Sequence, residues 1–181
     1  RQMCIRDRIN VERMKRGLNP ANSLWFWGAG TRPMLTSFEE KTGHKGAMIS
    51  AVDLLKGIAV GAGMKVIEVE GANGGLDTNY EGKADAAVDV LLNGGCDFAY
   101  IHLEAPDEMG HQGSYERKVK AIENLDKRII KRVVEKMEAA GEDFRMLVLP
   151  DHPTPVAIRT HVSDPVPYML YDSTDKKNNT W

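Results

Sequence analysis

From Ser23 onward, short apolar runs alternate with longer segments whose apolar residues recur at helical spacing, and this alternation constrains the chain most. Strand-like runs separated by helical ones predict an α/β fold, with a mostly parallel sheet flanked by helices. The expected strands are residues 24–27 (LWFW), 64–69 (MKVIEV), 98–103 (FAYIHL), 145–149 (RMLVL) and 166–170 (VPYML). The expected helices are 47–59, 80–92 and 115–140. In the last of these, Val119, Ile122, Leu125, Ile129, Val133 and Met137 draw one apolar stripe that ends at Gly141, a residue suited to the left-handed position after a helix.

Composition removes several classes of function. A net charge of -2 offers no basic footprint for nucleic acid or an anionic membrane surface. No apolar run approaches the roughly 20 residues needed to span a bilayer. The two cysteines, Cys4 and Cys96, are far apart and outside any Cys-x-x-Cys spacing, so neither a disulfide framework nor a thiolate zinc site is expected, and a reducing cytoplasm fits.

What remains is a set of carboxylates and imidazoles in three short clusters. Asp107 and His111 follow the 98–103 strand, Asp151 and His152 follow the 145–149 strand, and His161 lies in the loop that feeds the last strand. In open α/β sheets, ligands bind beyond the carboxyl ends of the strands, so these residues are expected at one sheet edge. Imidazole and carboxylate suit manganese or zinc, and two such ions about 3.5–4 Å apart clamp the oxygens of an in-line displacement at phosphorus. The five residues are therefore candidate ligands of a two-metal phosphoryl-transfer site. Pro106, Gly110 and Gly113 predict a turn around Asp107 and His111. Pro150, Pro153 and Pro155 brace Asp151 and His152. Adjacent side chains diverge on an extended backbone, so whether that pair serves one ion depends on how the turn bends it. Three unrelated solvated histidines are the plain alternative.

The segments 24–38 (LWFWGAGTRPMLTSF), 45–57 (KGAMISAVDLLKG), 71–83 (GANGGLDTNYEGK), 102–113 (HLEAPDEMGHQG) and 160–167 (THVSDPVP) resemble the archaeal-type cofactor-independent phosphoglycerate mutases, across about residues 19–173. That resemblance implies the alkaline phosphatase superfamily and its three-layer α/β/α sandwich, here incomplete. It implies two divalent ions, with manganese expected and zinc, cobalt or magnesium as alternatives. Asp107, His111 and His161 match the ligands of one ion, and Asp151 and His152 match two ligands of the other. The reaction implied is interconversion of 3-phosphoglycerate and 2-phosphoglycerate through a phosphoserine intermediate, in glycolysis and gluconeogenesis. Ser23, Ser37 and Ser50 match later parts of the family, so the nucleophile is expected upstream of this segment and the piece is expected to be inactive alone. Residues 1–8, which lack a clear period and an initiator methionine, are expected to be a foreign flank, with 9–22 a linker or the end of a preceding insert domain and 23–181 the truncated C-terminal part of the metal-binding domain.

Weaker candidates surround these ligands. His102 and Glu104 at the end of the 98–103 strand are candidates for orienting a ligand histidine. Arg32, Lys45 and Lys56 are candidate partners of a small phosphorylated, anionic substrate. His44 reads as a loop residue, and the turn at 71–75 lacks the Lys-Ser/Thr of a phosphate-cradling P-loop. Rival functions are another phosphotransferase of the same superfamily (a proposed homoserine kinase, a phosphopentomutase or a phosphatase) and a non-catalytic metal-binding module.

Overall fold

The structure, a computed structural model, describes residues 7–21, 23, 26, 30, 31 and 33–175. Contacts divide the chain into two compact units, 1–33 and 34–181. In the first, Asp7 caps helix α1 (Arg8–Lys15) by accepting the Asn10 N–H at 2.9 Å. The buried Asn10 side chain then exchanges two hydrogen bonds with the Ala21 backbone, tying the segment back on itself. The strand expected at 24–27 falls largely outside the described residues.

The second unit opens with a short helix α2 (Phe38–Thr42), started by a reciprocal capping box between Ser37 and Glu40 and stopped by Gly43 at φ 73°. The helix expected over 47–59 is instead a strand, β1 (Gly46–Ile49), followed by helix α3 (Asp53–Gly61). Ile49, Val52, Leu55 and Ile58 share a three-residue spacing that mimics a helix. Yet Ala47, Met48 and Ile49 are all buried, as a central parallel strand requires on both of its faces. Strand β2 (Lys65–Val66) and strand β3 (Phe98–Ile101) pair with β1 in parallel, in the order β2-β1-β3. Gly46 is needed at the start of β1, because a Cβ there would lie 2.8 Å from the Met64 side chain and 3.0 Å from Phe38.

Helix α4 (Tyr80–Leu92) occupies the predicted range and buries Tyr80, Lys83, Ala84, Ala87 and Val88. The single helix expected over 115–140 is broken into α6 (Tyr115–Leu125), a π-helical turn at Asp126–Ile130, and α7 (Lys131–Ala140). The π turn shifts the register of the stripe. Ile129, Val133 and Met137 stay in the core, whereas Val119 and Ile122 are exposed and Ala121 is buried in their place. Gly141 caps α7 at φ 72°, as the sequence predicts.

Strand β4 (Arg145–Val148) pairs antiparallel with β5 (Met169–Asp172), with Leu147 opposite Leu170. The last strand was expected at 166–170. It starts later because Pro165 and Pro167 have no N–H to give to a ladder. Among the described residues β4 therefore belongs to a different sheet from β3. The two are joined by one core: Ile101 and Leu103 from the β3 side, and Phe144 and Met146 from the β4 side, pack against Tyr80, Ala84, Val88, Ile129, Val133 and Met137. Among the described residues, no helix is long and apolar enough to cross a membrane. The result is an α/β fold whose three-stranded parallel sheet is flanked by helices, as the alternating pattern predicts, but among the described residues the ligand clusters follow strands of two sheets rather than one sheet edge, because β4 pairs with β5 and not with β3.

Candidate metal centre

Asp107 and His111 lie on a helix, α5 (Ala105–His111), where the sequence suggested a turn. Pro106 starts this helix rather than breaking it, because a proline in the first turn lacks only an N–H that would have no partner within the helix. Gly110 is a packing requirement: a Cβ there would stand 2.4 Å from the Thr154 carbonyl oxygen. The four-residue spacing puts Asp107 and His111 on one helix face, with His111 Nε2 3.3 Å from Asp107 Oδ2. Ala105 and Met109 hold α5 to the buried Ala121 of α6.

The third member arrives from the loop after β4. The Val162 N–H donates to the Pro153 carbonyl at 3.1 Å and closes that loop, which sets the His152 and His161 rings 3.7 Å apart at their centroids. His161 Nε2 comes within 3.0 Å of His111 Nε2 and 3.4 Å of Asp107 Oδ1. The backbone that delivers His161 includes Arg159 at φ 59°, a left-handed conformation uncommon outside glycine. The Arg159 side chain lies over Gly113, where a Cβ would stand 2.3 Å from the guanidinium Nε.

The donor set fits a divalent cation. His111 Nδ1 lies 2.9 Å from the Arg159 carbonyl, which can only accept, so Nδ1 carries the proton and the Nε2 of the neutral ring offers its lone pair to the centre. Ligands of one ion at metal–donor distances of about 2.0–2.2 Å stand roughly 3–3.5 Å from one another. The two nitrogens stand 3.0 Å apart, His111 lies 3.3 Å from Asp107 Oδ2 and His161 3.4 Å from Asp107 Oδ1, and one donor atom from each residue lies within 4.8 Å of the other two. Two imidazole nitrogens and a carboxylate facing one point at this spacing repel one another unless protons or a cation lie between them.

The second expected pair sits beside this group. Asp151 accepts the His152 N–H at 3.0 Å, which folds the pair so that His152 Nε2 is 3.3 Å from Asp151 Oδ2. The turn bends the adjacent donors together. Asp151 is exposed, whereas the His152 ring is partly covered by His161.

His102 and Glu104 are half-buried and form a polar cluster at the β3 end with the buried Ser50 and Lys83. His102 Nδ1 is 3.3 Å from Ser50 Oγ and 3.7 Å from Glu104 Oε1, while the Lys83 ammonium donates to the His102 carbonyl at 3.2 Å. Burial holds the His102 imidazole below its usual pKa, with Lys83 acting in the same direction. Burial raises the Glu104 carboxyl, and burial lowers the Lys83 ammonium. Two of the three charged candidates are placed elsewhere. Lys45 stands before the start of β1, whereas the ligands follow strand ends, and Lys56 is paired with Glu68 at 2.8 Å. Arg32 lies outside the described residues.

Four residues around the ligands were not singled out in the sequence. Thr154, between two prolines, was overlooked although it directly follows the Asp-His-Pro run; Lys83 could have been found from its place on the buried face of α4. Ser50 and Arg159 carry no local signal, because one acts through a neighbouring strand and the other through its carbonyl.

The signature of the Metalloenzyme superfamily matches residues 3–180. The chain belongs to this superfamily. Within it, the chain is 54% identical over 163 residues to the 2,3-bisphosphoglycerate-independent phosphoglycerate mutase of Methanosarcina acetivorans, covering 90% of this chain and 41% of that protein. It is 42% identical over 171 residues to the enzyme of the same name from Sulfurisphaera tokodaii, covering 94% and 40%. Among solved structures, a Pyrococcus horikoshii protein aligns at TM-score 0.78 with 32% identity, covering 97% of this chain and 45% of that one. The cofactor-independent phosphoglycerate mutase of Thermoplasma acidophilum aligns at 0.59 with 29% identity, covering 97% and 40%. The chain thus spans about two-fifths of the length of the curated relatives it matches.

Proposed function

We propose that this chain is the metal-binding part of a phosphoglycerate mutase that interconverts 3-phosphoglycerate and 2-phosphoglycerate without bisphosphoglycerate, in cytoplasmic glycolysis and gluconeogenesis. The observation that carries the reading is the convergence of Asp107, His111 and His161, whose ligand atoms all lie within 4.8 Å of one another. In this reading Asp107, His111 and His161 hold one divalent ion, manganese by the family pattern, and Asp151 and His152 contribute to the second. When bound, such a pair lowers the pKa of a coordinated hydroxyl and neutralises charge on phosphoryl oxygens.

The chain's own residues supply orientation and access. The Arg159 carbonyl fixes the His111 ring, and the Val162–Pro153 bond holds His161 in register with it. Asp107, His111 and His161 are partly exposed, which leaves an open side for a small phosphorylated substrate. Ser37 is engaged in capping α2, and Ser50 accepts the Val52 N–H while facing His102, so neither is assigned as the phosphoryl-accepting nucleophile. That group is assigned to the part of the relatives' length that this chain does not span.

The test is an assay of the full-length protein on 3-phosphoglycerate beside homoserine plus ATP, with manganese and with chelator. The reading predicts 2-phosphoglycerate formation that chelator abolishes and that His161→Ala lowers by on the order of 100-fold or more. Turnover of homoserine with none of phosphoglycerate would assign the site to another phosphotransferase of the superfamily.

A further inference from the structure

Among the described residues, Thr154 is a side chain in contact with both ligand pairs that is not itself a ligand candidate. It is 2% exposed, one of the few fully buried polar residues described, and it sits between Pro153 and Pro155. Its hydroxyl donates to Asp107 Oδ1 and stands 3.4 Å from His152 Nδ1. Its backbone is anchored as firmly: the carbonyl accepts from the Lys118 ammonium at 2.6 Å and rests against Gly110, where no Cβ fits. Helix α5, helix α6 and the 150–162 loop therefore meet at this residue.

We infer that Thr154 is a positioning residue that ties the two ligand sets together through one hydroxyl. The inference rests on the two-ion reading above and goes beyond it. A threonine hydroxyl has one proton and two lone pairs. The proton goes to the Asp107 carboxylate, which has none to return, so toward His152 the oxygen can only accept. His152 Nδ1 must then carry the proton in that contact, leaving Nε2, 3.3 Å from Asp151 Oδ2, as the nitrogen with a lone pair for an ion. The same hydroxyl sets the angle of the Asp107 carboxylate, whose two oxygens face His111 and His161. The flanking prolines restrict the backbone at Thr154, and burial of its side chain limits the room in which the hydroxyl can turn away. Loss of the hydroxyl disturbs a ligand in each set.

Calorimetric titration of the full-length, metal-free protein with manganese tests this, using Thr154→Val, which keeps the shape and removes the hydroxyl, and Thr154→Ser, which keeps the hydroxyl. The expected result is two manganese equivalents in the parent, both weakened about 10- to 100-fold in Thr154→Val, and both within about threefold of the parent in Thr154→Ser. Circular dichroism reports folding; if the valine variant does not fold, Thr154→Ala is read against the same limits. A residue that only packs would lower the melting midpoint of the metal-free protein and leave both affinities in place. Affinities within about threefold of the parent in Thr154→Val, or a loss confined to one equivalent, overturn the inference while the two-ion reading stands. A parent that binds no manganese, or one that Asp107→Ala leaves unchanged, overturns both.

Discussion

The α4–α7 packing and the 150–162 loop are held together by opposite means. Between α4 and α7, six buried residues form the core cluster, and bidentate pairs Arg128–Glu81 and Arg132–Asp85 close its rim. In the loop, Thr154 is the only buried residue, and shape comes from prolines, backbone hydrogen bonds and the polar groups around the ligands. The helical region is stabilised by apolar burial whether or not a ligand is near. The loop is organised around charge, so its stability and its function are coupled to what it binds. Damage in the first region should therefore appear as lost stability, and damage in the second as lost affinity.

The sharpest attempt to break this contrast is Met137→Ala. Emptying a core position that is 5% exposed should cost about 2–5 kcal/mol in denaturant unfolding while the folded variant keeps the parent's manganese affinity. Asp107→Ala should do the reverse, lowering manganese affinity by on the order of 100-fold, roughly 2.8 kcal/mol at about 1.4 kcal/mol per factor of ten, with little change in the melting midpoint in chelator. Arg132→Met at the rim should lower the unfolding midpoint far less than Met137→Ala, since both partners are more than a third exposed and screened by solvent. The smallest effect is a pH slope. The hydrogen bonds from Arg132, then Lys136, hold the Asp85 carboxyl down to about 2. Its contribution is thus present above the ordinary carboxyl pKa and is lost as pH falls from about 4 towards 2. Acid unfolding followed by circular dichroism should show that part of the slope in the parent and a shallower one in Arg132→Met, where Lys136 still pairs with Asp85.

The two regions were also unequally legible in the sequence. Helix α4 was readable to both ends, and Gly141 marked the end of α7, because periodicity and caps are local signals that burial then satisfies. The π turn was not readable, since one shifted register leaves the apolar spacing of 115–140 nearly intact. The residues at 105–111 read as a turn because Pro106 and Gly110 are usual breakers, yet one suits a helix start and the other makes room for Thr154, a contact 44 positions away. The ligand types were visible from chemistry alone. What positions them was hidden, because a carbonyl at Arg159, a hydroxyl at Thr154 and the buried ammonium of Lys83 act through distant parts of the chain.

The central claim is that Asp107, His111 and His161 hold one divalent ion. Crystals of the full-length protein grown with manganese, measured at an energy where manganese scatters anomalously, test it most directly. A difference peak within about 2.0–2.3 Å of Asp107 Oδ, His111 Nε2 and His161 Nε2 is the predicted result. An ordered site with these three side chains in place and no anomalous peak among them would contradict it.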